Sequence, residues 1–391
     1  MKKKLMRLAA VGLICAMTGG LAACGSSKTG GTGGSSGSEK KSATTVGIVV
    51  KTATNAHFQD IAYGAVLAGK DLGINVKVDN TSTESDVEGQ VTKCENMISS
   101  GVDALILTAN DSDGVSNAVA AAHDAKIPFV MVDTKITNQW GDDVKEYMPN
   151  YIGVDHEKMA YELAKNVFKK MGGKGQVVIL RGVDAASSSR ERTAGFKRAL
   201  KEYPNIKLVE SQSAKYDQDT AASTMADIIQ AHPKVKAVLC CNDLMAAGAV
   251  TALEENNIKV GGDSGVLVAG IDGNYIALQS IDDSKIYATA YDWSILQGYY
   301  AVEQAYDLIQ GKSVPEETMT PDTIITKENV DDYLEHGKEL SQWTMGKSIG
   351  KVSDYMRNFV TMGEKMKTGG TASSGSGDSS ASGETKDAAE K

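Results

Sequence analysis

The chain has 391 residues, 23% of them charged, and a formal net charge of -9. Beyond its first seven residues it has no run of Lys or Arg, so it lacks the basic face that nucleic acid binding requires. About 300 residues lie between two Gly/Ser-rich ends, more than one hydrophobic core holds, and two domains are expected.

At the N-terminus, Lys2, Lys3, Lys4 and Arg7 precede a short apolar run, Leu8 to Met17. The run is too short to span a bilayer and small residues follow it, as in a cleaved export signal. Leu21-Ala22-Ala23-Cys24 resembles the bacterial lipobox, which implies a signal over residues 1–23 and a diacylated Cys24 as mature N-terminus. Two acyl chains make a stable anchor where one does not. Losing the four signal cations takes the formal charge from -9 to -13. Gly/Ser-rich residues 24–43 read as a flexible linker and residues 367–391 as a disordered tail. No apolar stretch after residue 24 is long enough to cross a membrane.

Between these ends, short β-branched runs alternate with amphipathic segments. Val46–Val50, Val76–Asp79, Ala104–Leu107 and Pro128–Val132 read as buried parallel strands, separated by helices over 57–72, 85–100 and 113–125. A second series follows, with strands Val177–Leu180, Ile206–Ser211, Ala237–Cys240, Val266–Ile271 and Ile286–Ala290. Its helices lie near 190–203, 217–231, 244–256 and 275–281. The alternation predicts an α/β fold of two doubly wound parallel-sheet lobes. The helical spacing of Ile349, Val352, Met356, Phe359 and Val360 predicts a further helix, within 346–366, packed on a lobe. Cys94, Cys240 and Cys241 have no disulfide or zinc spacing and read as buried apolar side chains.

In open α/β sheets ligands bind beyond the carboxyl ends of the strands. Here those ends carry Thr52 to Phe58, Asp133-Thr134, Arg181 to Arg190, Tyr216-Asp217, Asn242-Asp243, Asp272 and Asp292-Trp293. Carboxylates that accept from hydroxyl pairs, donors such as Asn and Arg, and aromatic faces together suit a polyhydroxylated ligand. Asp217 and Asp243 precede helices, where N-capping is the commoner role, and Asp111 to Asp113 stand similarly before the third helix. Arg192 reads equally as a surface ion-pair partner. Asp133 and Asp272 end apolar strands, where an unpartnered carboxylate is costly, and that favours ligand contact. No nucleophile elbow, Walker loop or G-x-G-x-x-G follows a strand, so catalysis is not expected, nor is a cofactor or metal.

Taken in order, Thr54-Asn55-Ala56-His57-Phe58, Leu107 to Val115, Val132-Asp133, Ser188 to Phe196, Asn242 to Ala249 and Gly270-Ile271-Asp272-Gly273 resemble the type I periplasmic sugar-binding proteins of ABC importers, nearest the ribose-binding branch. The resemblance runs from about Thr45 to Thr326. It implies sugar contacts at Asn55, His57, Phe58, Asp133, Thr134, Arg190, Tyr216, Asn242, Asp272 and Asp292. It implies an N-terminal lobe of residues 44–154 plus 293–321, a C-terminal lobe of 155–292 plus 322–345, and a three-crossing hinge that closes on ligand. The partners implied are a sugar or polyol, an ABC permease with its ATPase, and a membrane reached only through lipid. A monomer on a single-membrane, Gram-positive type cell is expected, with presentation of ligand to a sensor kinase or chemoreceptor as the other output. A LacI-type regulator shares the lobes but needs a helix-turn-helix where this chain has its signal and linker. Ribose-type members commonly carry Arg where Thr134 stands, aromatics at His57 and Ile271, and an amide at Asp292; these departures point to another pentose, a hexose or a polyol.

Overall fold

The computed structural model describes Ala43–Lys367; Cys24, the signal, nearly all of the linker and the tail from 368 onward lie outside the described residues. The chain opens with β1 (Thr45–Thr52), α1 (Ala56–Leu72), β2 (Asn75–Thr81), α2 (Val87–Ser99) and β3 (Ala104–Leu107). It continues through α3 (Ser116–Asp124), β4 (Phe129–Val132), a one-turn α4 (Val144–Tyr147) and β5 (Tyr151–Gly153). Then come α5 (His156–Lys170), β6 (Gly175–Arg181), α6 (Ser187–Leu200), β7 (Ile206–Ser213), α7 (Gln218–Ala231), β8 (Val235–Cys240) and α8 (Asp243–Glu255). The last part comprises β9 (Leu267–Ile271), α9 (Tyr275–Asp282), β10 (Ala288–Tyr291), α10 (Ser294–Ile309), β11 (Glu317–Met319), β12 (Thr323–Thr326), α11 (Asp331–Ser341) and α12 (Asp354–Lys367).

Two six-stranded sheets result, ordered β11-β5-β4-β3-β1-β2 and β12-β10-β9-β8-β6-β7. Every pairing is parallel except β12 on β10. Central strands such as β3, β4 and β9 are buried along their whole length, as helices on both faces demand. The chain passes between the sheets three times, from β5 to β6, from β10 to β11 and from β11 to β12. The last passage brings β12 back against the direction of β10, which makes the second sheet mixed at that edge.

Local chemistry sets the helix ends. Asn55, Asp155, Asp217 and Asn242 cap α1, α5, α7 and α8 through side-chain oxygens that accept backbone N–H groups. Asp111 instead accepts from Asp113 N and Gly114 N in a turn, and α3 starts at Ser116 without a side-chain cap. α1 and α10 approach closely because Gly64 and Gly298 face each other's backbones; a Cβ on Gly298 would overlap the Ile61 carbonyl. The expected C-terminal helix is α12. It runs to Lys367, so the residue read as the start of the tail is helical. Cys94, Cys240 and Cys241 are buried and free.

Candidate functional site

Four strands of the two sheets end in backbone that L-residues rarely adopt. Asp133 after β4 has φ 62, Tyr216 beyond β7 has φ 61, Asp272 after β9 has φ 126 and Trp293 beyond β10 has φ 52. Such strain persists only where surrounding contacts over-determine it, and it collects at ligand sites. Here it turns Asp133 and Asp272, with the neighbouring Asp292, towards His57 on the first turn of α1.

His57 is the centre of the cluster. Its Nε2 lies 3.4 Å from Asp133 Oδ1, and its Nδ1 lies 3.5 Å from Asp292 Oδ1 and 3.9 Å from Asp272 Oδ1. Arg192 of α6 donates from Nη1 to Asp272 Oδ1 (3.1 Å) and to the Cys241 carbonyl (2.7 Å), with Nη2 3.7 Å from Asp292 Oδ2. Lys51, the seventh residue of β1, donates to Thr134 Oγ1 (2.8 Å) and lies 3.5 Å from Asp133 Oδ2, over the rings of Phe58 and Tyr216. Thr134 in turn donates to Asp133 Oδ2 at 2.7 Å. Asn55 joins the two sheets' loops: its Nδ2 donates to Glu84 Oε1 (3.1 Å) and Asp272 Oδ2 (3.3 Å), and its Oδ1 accepts from Asn274 Nδ2 (2.9 Å).

Burial and charge act against each other here. Burial alone would lower the His57 pKa, but Asp292, Asp272 and Asp133 raise it to about 10, so the ring is an imidazolium with two N–H donors. Burial would raise Asp133, yet Lys51 and His57 hold it well below the usual carboxylate range. Desolvation wins at Asp292, lifted to about 6 despite His57 and Arg192, and at Glu84, lifted to about 7. His156 is pushed down to about 3 by burial and Arg192; its neutral Nδ1 accepts from Arg192 Nε, and Nε2–H donates to the Asp133 carbonyl.

Five buried polar atoms of this cluster make no hydrogen bond: both ring nitrogens of His57, Asp133 Oδ1 and both carboxylate oxygens of Asp292. The ring nitrogens face Asp133 and Asp292 as ion pairs at 3.4 and 3.5 Å, so donors and acceptors alike keep hydrogen-bonding capacity that hydroxyl groups could use. The free volume lined by Asn55, His57, Asp133, Arg192 and Asp272 is only about 10 Å³, too small in this conformation for a ligand of sugar size. Larger grooves of about 480 Å³ beside Asn166 and Tyr287, and about 520 Å³ beside Thr83 and Asp217, have no unpartnered buried side-chain atom among the described residues. His57, Asp133 and Asp292 are also close enough to share a metal ion, each offering one atom within 4.8 Å of the others. Lys51 and Arg192 stand against the same carboxylates, and a network already neutralised by two cations disfavours a further one.

Of the ten residues expected at the site, Asn55, His57, Phe58, Asp133, Tyr216, Asn242 and Asp272 line this space, and Asp292 borders it through His57. Thr134 stands one layer back as the link between Lys51 and Asp133. Asn242 spends its Oδ1 on Met245 N as the cap of α8 and turns Nδ2 towards the Tyr216 carbonyl. Arg190 is not there. It is exposed and its guanidinium donates to the Asp184 and Ala185 carbonyls, because residues two apart on a helix point to different faces. Arg192, read from the sequence as a surface ion-pair partner, is buried and lines the space instead. Asp243 neither caps nor lines: it accepts from Asn274 N and Thr289 Oγ1 beneath the β9 and β10 ends. Lys51 and Glu84 line the space and escaped the sequence reading; Ser188 lines it too, from within the 181–190 stretch read as a strand end but not as a named contact. A lysine at the end of a wholly apolar strand was the available signal for Lys51; nothing local marks Glu84.

Residues 46–313 match the periplasmic binding protein domain. The ribose import binding protein of Bacillus subtilis is 31% identical over 286 residues, 73% of this chain and 88% of that protein. The D-apiose import binding protein of Paraburkholderia graminis is 32% identical over 292 residues, 74% of this chain and 89% of that protein. Among solved structures, an ABC transporter periplasmic solute binding protein from Actinobacillus succinogenes with bound D-allose superposes with a TM-score of 0.69 at 31% identity. It covers 74% of this chain and 100% of its own.

Proposed function

The chain belongs to the periplasmic binding protein domain family, and from that premise we propose that it captures one monosaccharide or polyol between its two lobes and delivers it to an ABC importer. One observation carries the reading: carboxylates from both sheets, Asp133 and Asp272, and the His57 imidazolium converge on one buried space, with Asp292 behind His57. Hydroxyl pairs satisfy Asp133 and Asp292, His57 and Arg192 donate, and Phe58 and Tyr216 cover C–H faces. Relatives that carry ribose and D-apiose, and a neighbour holding D-allose, support this ligand class. The lobes comprise residues 44–154 plus 293–321 and 155–292 plus 322–345. Binding, not turnover, is the activity, and the protein acts as a monomer.

Ribose itself fits less well than another pentose, a hexose or a polyol. Thr134 stands where the ribose-type pattern has an arginine, Lys51 instead supplies the cation beside Asp133, and Asp292 adds an acceptor. Lipid on Cys24 holds the protein to the outer face of a single-membrane, Gram-positive type cell within reach of its permease and ATPase.

Calorimetry against pentoses, hexoses and polyols tests the reading. A ligand of about ten heavy atoms at up to about 1.5 kcal/mol per atom allows micromolar or tighter binding. Asp133→Ala and Asp272→Ala are expected to abolish the heat of binding while the ligand-free chain still folds. Silence of the wild type across the whole panel refutes the sugar reading; unchanged binding by both variants refutes the site.

A further inference from the structure

Asp292 and its neighbours are held from outside the family's matched span. Trp293, which follows Asp292 and precedes α10, is fully buried at φ 52, a conformation that costs a bulky residue about 1–3 kcal/mol unless its surroundings impose it. The surroundings come from the C-terminus. Phe359 of α12 stacks on the Trp293 indole, ring centroids 4.9 Å apart at 25°. Gly363, one turn on, leaves the space the indole occupies; a Cβ there would overlap the Trp293 ring and Leu296. Indole Nε1 donates to Thr323 Oγ1 at 3.1 Å, which fixes the ring's far side.

The residues on either side are held as well. Phe359 stacks on His336 of α11 at 4.0 Å, and His336 Nε2 lies 3.2 Å from Asp60 Oδ2. That oxygen accepts from Tyr291 Oη and Ser294 Oγ, both at 2.7 Å. Tyr291, Trp293 and Ser294 are thus each fastened around an Asp292 whose own carboxylate is left without a hydrogen bond. α12 and the segment before it also reach α1, the helix that carries His57: Arg357 makes a bidentate pair with Asp71 at 2.8 and 2.9 Å, and Lys70 donates to the Gly350 carbonyl ahead of α12. The family-model match ends at residue 313, and α11 and α12 follow it.

We propose that α12 is a clamp on the binding site: Phe359 and Gly363 hold Trp293 in its left-handed conformation and thereby aim the Asp292 carboxylate at His57 and Arg192 on the edge of the cleft. Both act through Trp293 and are positioning residues, and the proposal rests on the reading of Asp292 as a ligand contact. The clamp contributes affinity by preorganisation, since without it Asp292 must be ordered when ligand binds.

The test uses full-length Phe359→Ala, with Phe168→Ala as a control that removes an equally buried ring against Tyr203. Calorimetry with D-ribose, D-allose, D-apiose and xylitol is paired with hydrogen exchange of the 291–296 amides. Phe359→Ala is expected to weaken the tightest of these probes at least tenfold and speed that exchange at least tenfold. Phe359→Tyr should restore both, and Phe168→Ala should leave both within about twofold at a comparable loss of thermal stability. Gly363→Ala, whose methyl pushes on the indole, is the second perturbation if Phe359→Ala does not yield folded protein. Equal effects of Phe359→Ala and Phe168→Ala, or none from Phe359→Ala, overturn the clamp. If the wild type binds no probe the sugar reading falls, and unchanged exchange at 291–296 is then the result that sinks the clamp.

Discussion

Arg192 is nine-tenths or more buried and donates to Asp272, to the Cys241 carbonyl and to His156, with Asp292 beside it. Arg192→Met keeps most of the aliphatic stem and removes only the guanidinium. It leaves Asp272 and Asp292 with His57 as their remaining close cation. Breaking a buried ion pair from one side costs about 3–5 kcal/mol. At about 2.1 cal/mol/K per residue for the 325 described residues, 43–367, that lowers the unfolding midpoint by about 4–7 °C. Ligand affinity falls too, by roughly 30-fold or more, since removing one partner of a buried charged pair costs about 2–5 kcal/mol of binding. Arg190→Met is the matched control. Its exposed guanidinium caps two loop carbonyls, and its Kd should stay within about twofold of wild type. Thermal melts give the first number and calorimetry with the tightest sugar of the panel gives the second. The placement is wrong if Arg190→Met loses binding while Arg192→Met stays within about threefold.

Two further outcomes follow from the same structure. The folded His57 pKa of about 10 exceeds its ordinary 6.5, so its stabilisation is fully present below about pH 6.5 and is lost as pH rises through about 10. Melting temperatures of wild type and His57→Gln should therefore converge between pH 6.5 and 10, and parallel curves would contradict the ion-pair account. Gly298→Ala, despite alanine's better helix propensity, drives a methyl into the Ile61 carbonyl and should cost about 1–3 kcal/mol; an equal or higher melting temperature would show that α1 and α10 can separate freely.

Nine of the twelve described strands, β1 to β4 and β6 to β10, were legible in the chain because most are short apolar runs and the helices between them carry a 3.6-residue stripe, signals carried by neighbours in sequence. β5, α5, α10, β11, β12 and α11 were not singled out: the three-residue β5 and β11 have no period to read, whereas α5 and α10 carry buried helical stripes that were passed over. Asp133 and Asp272 declared themselves by standing at the ends of apolar strands, where a carboxylate needs a partner. Arg192 had a signal that was passed over: it shares the i, i+4, i+7 stripe of Phe196 and Ala199, the buried face of α6, whereas Arg190 lies two residues off that stripe. What the tertiary structure alone decided is who stands opposite whom. Glu84 reaches Asn55 and Asn55 reaches Asp272 across 217 residues of chain, and Phe359 reaches Trp293 from a helix beyond the matched family span. Local propensity determines which face a side chain takes, but the field and packing it meets there are set by segments distant in sequence. That is why Asp133, Asp272 and Asp292 could be named from the sequence, while which cations and rings stand against them, Lys51, Arg192 and the stacked Trp293 and Phe359, was decided by the fold.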